Sequence, residues 1–162
     1  MKTLLLLRHA KSSWADSGLA DHDRPLNKRG LRDAPRMARL IVDTGWVPDV
    51  ILSSTAARAR ATALIVAEAC EWSPELRLQR HLYLAEPEGY LEQLQRVPPQ
   101  AKRVLLVGHN PGIEELGEKL SGVAVHMPTA ALLVLESSAP FAALGEHGAN
   151  IIGNYRPKEL DG

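Results

Sequence analysis

The sequence is poor in cysteine and in aromatic residues: 162 residues contain one cysteine, Cys70, one phenylalanine and 4% aromatics in all. A single thiol cannot form an internal disulfide, and it cannot build the multi-thiolate cages of structural metal sites. Cys70 follows the apolar run Leu64-Ile65-Val66-Ala67, so a packed, inert thiol is expected there. An excess of one charge is also missing, with 19 basic residues set against 19 acidic ones. That balance speaks against a nucleic-acid partner and against an anionic membrane surface, both of which favour a basic excess. Long hydrophobic runs are absent too. The leucines at 4–7 are stopped by Arg8, too soon for a signal-peptide core or a membrane span. There is no internal repeat and no low-complexity tract, and Pro98-Pro99 is too short to separate domains. One cytoplasmic domain over residues 1–162 is the expectation.

What the sequence does have is a series of short apolar runs at 4–7, 50–52, 104–107 and 132–135. None alternates with polar residues, so each predicts a strand covered on both faces, as in a parallel sheet. Helical segments lie between them. In 28–42, Leu31, Ala34, Met37, Ala38 and Ile41 fall on one stripe, while Pro35 predicts a kink or a start near Ala34. Segments 55–71, 87–97 and 111–120 complete the helices. After Ser137 glycines interrupt the chain, and 148–155 is a candidate edge strand. Alternation of strand and helix predicts an α/β three-layer sandwich: a mostly parallel central sheet with helices on both faces.

Ligands of such sheets bind beyond the carboxyl ends of the strands. The first run leads into Arg8-His9. The second leads into Ser53-Ser54-Thr55, with Arg58 in the first turn of the next helix. The third leads into Gly108-His109-Asn110-Pro111-Gly112. Three strands thus bring two histidines and two arginines to one edge. Ser54 or Thr55 is expected to cap the second helix, and Asn110 the helix after Pro111. Gly108 allows a close backbone approach. Helix ends and guanidinium forks together suit a tetrahedral phosphate. Arg60, His81 and His147 stand alone and are read as solvated or structural. The Asp21-His22-Asp23 cluster has no second ligand group at matching spacing, so it is read as loop polarity and no metal site is expected.

Three stretches carry a family resemblance. Arg8-His9-Ala10 is close to an Arg-His-Gly motif. Ser54, Arg58, Ala59, Thr62 and Ala63 match Ser-x-x-x-Arg-Ala-x-x-Thr-Ala, and Val107-Gly108-His109-Asn110 matches a Gly-His stretch after a late strand. In order and separation these resemble the histidine phosphatase superfamily, with its phosphoglycerate mutase-like fold. Segments 8–14, 23–30 and 127–131 are most similar to the small SixA-type phosphohistidine phosphatases.

The resemblance implies a phosphatase with His9 as nucleophile and a covalent phosphohistidine intermediate. Arg8, Arg58 and His109 would hold the transferring group, with no cofactor and no metal, since guanidinium groups supply the charge. One ring nitrogen of His9 would attack while the other donates to a backbone carbonyl, and nearby positive charge would keep the ring neutral. Ser12 is a candidate phosphate contact, with a loop-structural role equally open. Ala15 stands where mutase-like members often carry asparagine. The glutamate acid of the larger branch has no clear equivalent here; Tyr83, Glu86 and Glu88 are the candidates. A labile P–N bond to an imidazole tolerates that lack better than an alkyl ester does. The expected substrate is therefore phosphohistidine on a protein domain. The alternatives are a phosphomonoesterase for a small phosphorylated metabolite, and a non-catalytic phosphate-binding module.

Overall fold

The computed structural model describes residues 1–161, in which six strands form one sheet. In chain order these are β1 (Lys2–Arg8), β2 (Val50–Ser54), β3 (Glu75–Gln79), β4 (Arg103–Gly108), β5 (Leu132–Ser137) and β6 (Asn150–Tyr155). Their order across the sheet is β3-β2-β4-β1-β5-β6. The first four run parallel. β5 lies antiparallel to β1, and β6 antiparallel to β5. The unbroken apolar run at 132–135 predicts a parallel strand, but β5 runs the other way. The four residues of the run are fully buried between β1 and β6, and burial on both faces makes an apolar run whichever way the strand points. The edge strand expected near 148–155 is β6. The other edge, β3, was not anticipated: its sequence ELRLQ alternates and carries charge, as a half-exposed edge does.

The helices are α1 (Lys28–Asp43), α2 (Ala57–Ala69), α3 (Pro87–Leu94) and α4 (Gly112–Ser121). Side chains alternate across the sheet, and each face builds its own core. Leu4, Leu6, Leu52 and Leu106 pack with Tyr90 and Leu94 of α3 and with Ile113, Leu116 and Leu120 of α4. Leu5, Leu7, Ile51, Leu105 and Val107 pack with Met37 and Ile41 of α1 and with Ala59, Ala63 and Val66 of α2. Each fully buried leucine contributes roughly 1.5–3 kcal/mol, so β1 alone anchors both layers. This is the three-layer α/β sandwich that the alternation predicts. None of the described helices is long and apolar enough to cross a membrane.

Helix α1 departs from its expected form in two ways. It runs unbroken through Pro35 and begins at Lys28, because the Asn27 side chain accepts from Gly30 N at 2.9 Å and caps the first turn. Leu31 is 57% exposed, and the inward position beside Ala34 is taken by Asp33. That buried carboxylate is held by Arg29, Arg32 and Arg36 at 3.5, 3.4 and 3.8 Å. Gly30 is required where it stands: a Cβ there would lie 2.2 Å from the Lys11 carbonyl oxygen, so the helix start packs directly on the loop after β1.

Candidate active site

β1, β2 and β4 end side by side. Arg8 pairs with Gly108, and Ser53 with Val107, so the residues that follow all emerge at one carboxyl edge. There they surround a cavity of about 280 Å³ whose wall includes Arg8, His9, Ser12, Arg24, Arg58 and His109. The four residues expected at strand ends are thus brought together.

His9 is 6% exposed, and its Nδ1 lies 2.8 Å from the carbonyl oxygen of Ala10. A carbonyl only accepts, so Nδ1 carries the proton and Nε2 keeps a lone pair. The backbone around it is tied down. His9 N donates to Gly108 O, and Ala10 N donates to the Thr62 hydroxyl, which donates in turn to Arg58 O. Residues from two separate motifs share one bonded chain. Burial pushes the His9 ring down to about 4; the Ala10 carbonyl, second in size, pulls upward, and the Arg58, Arg8 and Arg24 charges add to the lowering. The ring is neutral at ordinary pH.

His109 lies with its ring centroid 5.1 Å from that of His9. Its Nε2 meets the Ser54 hydroxyl at 2.8 Å, and its Nδ1 is buried with no partner among the described residues. Burial, then His9 and Arg58, push this ring down to about 3. Its backbone N–H donates to the Tyr90 phenol oxygen at 3.1 Å. Gly108 makes that possible: a Cβ at 108 would come within 2.2 Å of the same oxygen. The close approach at Gly108 is therefore made by the Tyr90 side chain.

The expected helix caps differ from those found. Ser54 accepts from Ala56 N at 3.1 Å, and Thr55 meets His22 Nε2 at 2.8 Å, while the residue preceding α2 is Ala56 with no side-chain cap. Asn110 does not cap α4 either, because Pro111 precedes that helix. The Asn110 amide nitrogen donates instead to Glu114 Oε2 at 2.7 Å and Met127 O at 2.9 Å. This pins the loop after β4 to the loop before β5. Arg8 donates to the same Met127 carbonyl at 3.1 Å, and its buried Nε has no partner among the described residues.

The Asp21–Asp23 turn is more than loop polarity. Arg58, 4% exposed, donates from Nη1 to Asp21 O at 2.7 Å and from Nη2 to Asp21 Oδ2 at 3.0 Å. Asp21 Oδ1 also accepts from Arg24 at 2.8 Å, and the Tyr83 hydroxyl donates to its other oxygen. Those bonds, Tyr83 foremost, hold the Asp21 carboxyl well below the usual carboxylate range. Arg24 is itself buried, donates to the Ser12 hydroxyl at 2.5 Å, and lies 3.2 Å from the ring centroid of Trp14, which is 73% exposed. Ser12 thus lines the cavity as a partner of Arg24. No periodicity announces Asp21, Arg24 or Trp14 as neighbours of the cavity.

Of the three candidate acids, Tyr83 stands beside the imidazoles, with its ring 5.5 Å from that of His109. Glu88 is exposed and paired with Lys119 at 3.2 Å, and Glu86 is exposed just before α3. Among the described residues, no group of three or more His, Cys, Asp or Glu side chains could hold a metal ion. What the arrangement offers is one imidazole with a free lone pair, a second neutral imidazole, and three guanidinium groups at a single cavity. That set suits an attack on an anionic, tetrahedral centre.

Comparison with known proteins agrees. The sequence profile of the histidine phosphatase superfamily (branch 1) matches residues 4–124. An uncharacterised chloroplastic protein of Arabidopsis thaliana is 34% identical over 96% of this chain and 78% of its own length. Two solved structures assigned as the phosphohistidine phosphatase SixA are similar throughout. The one from Nakamurella multipartitia has a TM-score of 0.87 and 29% identity over 96% of each chain. The one from Agrobacterium tumefaciens has a TM-score of 0.80 and 32% identity over 96% of this chain and 99% of that one.

Proposed function

The chain belongs to the histidine phosphatase superfamily, and on that premise we propose that it hydrolyses phosphohistidine on a protein through a covalent intermediate on His9. The observation that carries this reading is the His9 ring: Nδ1–H is committed to the Ala10 carbonyl, and Nε2 is left with its lone pair beside three guanidinium groups. The Nε2 lone pair attacks phosphorus in line. The P–N bond of the substrate breaks, and the departing imidazole keeps a proton as it leaves. Arg8, Arg58 and His109 meet the charge on the equatorial oxygens, and Arg24 holds Ser12 at the wall. Water then attacks the phosphorylated His9, releasing inorganic phosphate and restoring the ring. The guanidinium groups supply the charge that a metal ion supplies in other phosphatases.

The leaving group is inferred from the cavity wall. None of the described residues lining it is a carboxylic acid. An imidazole that is protonated leaves without such help, whereas an alkoxide does not. The cavity wall also includes the exposed Trp14 and Leu84, an open mouth that suits a side chain presented by a folded protein. The deciding assay compares phosphoramidate, a phosphohistidine-bearing protein and a panel of metabolite phosphates, with His9→Ala as control. Higher kcat/KM on the P–N substrates is expected, and a metabolite ester turned over faster than both would overturn the reading.

One observation favours a second reading, a small-molecule phosphomonoesterase. Burial, then the Asp21 contact, raises the Tyr83 phenol above its usual value, so it holds a proton next to His109. If Tyr83 served as the acid, Tyr83→Phe would slow ester hydrolysis and spare phosphoramidate.

A further inference from the structure

The Ser54 hydroxyl is fully buried at the end of β2 and meets two groups among the described residues. One is Ala56 N–H, which can only donate to it. The other is His109 Nε2, at 2.8 Å, which donates or accepts according to its tautomer. A hydroxyl has one proton to give. If Nε2–H pointed at Ser54, the oxygen would accept twice and its own proton would be left buried without an acceptor, which is unfavourable. If Ser54 donates to Nε2, all three groups are satisfied, and the proton of the neutral imidazole sits on Nδ1.

The unpartnered end of the ring agrees. Nδ1 is buried with no partner among the described residues, in a histidine that is 2% exposed and lines the cavity. Beside an anion, a lone pair at Nδ1 would repel and an N–H would bind. His9 and His109 then share one tautomer for opposite purposes. The Ala10 carbonyl takes the Nδ1–H of His9 and leaves a lone pair; the Ser54 hydroxyl fills the lone pair of His109 and leaves an N–H.

We propose that Ser54 is a positioning residue that fixes His109 in its Nδ1–H tautomer, so that a neutral N–H donor meets the phosphoryl group. This rests on the phosphatase reading for the identity of the anion, but not for the tautomer itself. The test is long-range proton–nitrogen NMR of the uniformly nitrogen-15-labelled protein, alongside kinetics on phosphoramidate. The wild-type His109 ring should show its proton on Nδ1. Ser54→Ala, which removes one buried oxygen and adds no volume, should lose that single tautomer and lower kcat about tenfold to a hundredfold with little change in KM. Ser54→Thr, which restores the hydroxyl, should recover the signature. A wild-type ring protonated at Nε2 overturns the proposal, and so does an Nδ1–H ring that persists unchanged in Ser54→Ala. A wild-type protein inactive on every phosphorylated substrate would defeat the phosphatase reading while leaving the tautomer result intact.

Discussion

On the floor of the cavity the polar groups leave strand ends and are held through the backbone, whereas on its rim they hang from a short turn and hold one another side chain to side chain. His9 and His109 are 6% and 2% exposed, and each is tied through its own backbone N–H, His9 to the Gly108 carbonyl and His109 to the buried Tyr90 phenol. Trp14 and Leu84 on the rim are 73% and 56% exposed, and Asp21 keeps 44% of its side chain in solvent. Arg58 belongs to both: its first-turn position in α2 comes from the floor, and its partner Asp21 comes from the rim. Floor geometry is inherited from the sheet register, so moving one group means moving a strand. Rim contacts centre on the Asp21 carboxylate, which is partly exposed and sits on a turn outside the sheet, so they can shift without moving a strand. In the proposed reaction the floor makes and breaks the bonds, and the rim chooses the substrate.

The sharpest way to break that division is His9→Ala. Turnover should vanish on every substrate, and an acid-labile, base-stable phosphoryl label should be trappable on wild type and absent from the variant. Normal turnover would remove His9 from the chemistry. Next comes Arg58→Ala, expected to lower kcat/KM about 10²–10³-fold, or roughly 3–4 kcal/mol of transition-state stabilisation. A loss below about tenfold would place Arg58 with the rim.

The floor was largely legible before the structure and the rim was not, for a physical reason. Arg8-His9, Ser54 and His109 each follow an apolar run directly, and parallel strands deliver whatever follows them to one edge. Asp21 reaches Arg58 across 37 positions of sequence through a turn with no periodic pattern, so nothing in its spacing marks the contact. Leu31 and Asp33 show the same limit on a helix. Both lie near the boundary of the apolar stripe, and three arginines tip the inward position to the carboxylate. β3 leaves no such mark, because an exposed edge strand lacks the continuous apolar run of the central ones. Asn110-Pro111 reads locally as a cap and a first helical residue; contacts to Glu114 and Met127 claim the side chain instead.

A smaller effect tests how well the floor is sealed. Because the His9 ring is pushed down to about 4, it stays neutral above that pH, and its contribution to kcat/KM should fall about tenfold per unit only below it. A histidine in water would begin to fail near ~6.5. Arg58 is one of the charges that lower the ring, so Arg58→Ala should move the acid limb upward. A wild-type limb near ~6.5 would mean that His9 is solvated like a rim residue.

The smallest expected effect bears on the rim alone. Trp14 lies with its ring 3.2 Å from the Arg24 guanidinium carbon and presents most of its remaining surface to solvent at the cavity mouth. Such a platform can touch a protein that carries the phosphoryl group, while phosphoramidate is too small to use it. Trp14→Ala should therefore raise KM for a phosphohistidine protein a few-fold, about 0.5–1 kcal/mol for the lost contact, and leave phosphoramidate kinetics near wild type. An equal loss on both substrates would mean that Trp14 acts through Arg24 and Ser12 on the phosphoryl group itself, making the Trp14–Arg24 stack part of the floor. A loss confined to the protein substrate would keep the two regions separate, because only the rim distinguishes what the phosphoryl group is attached to.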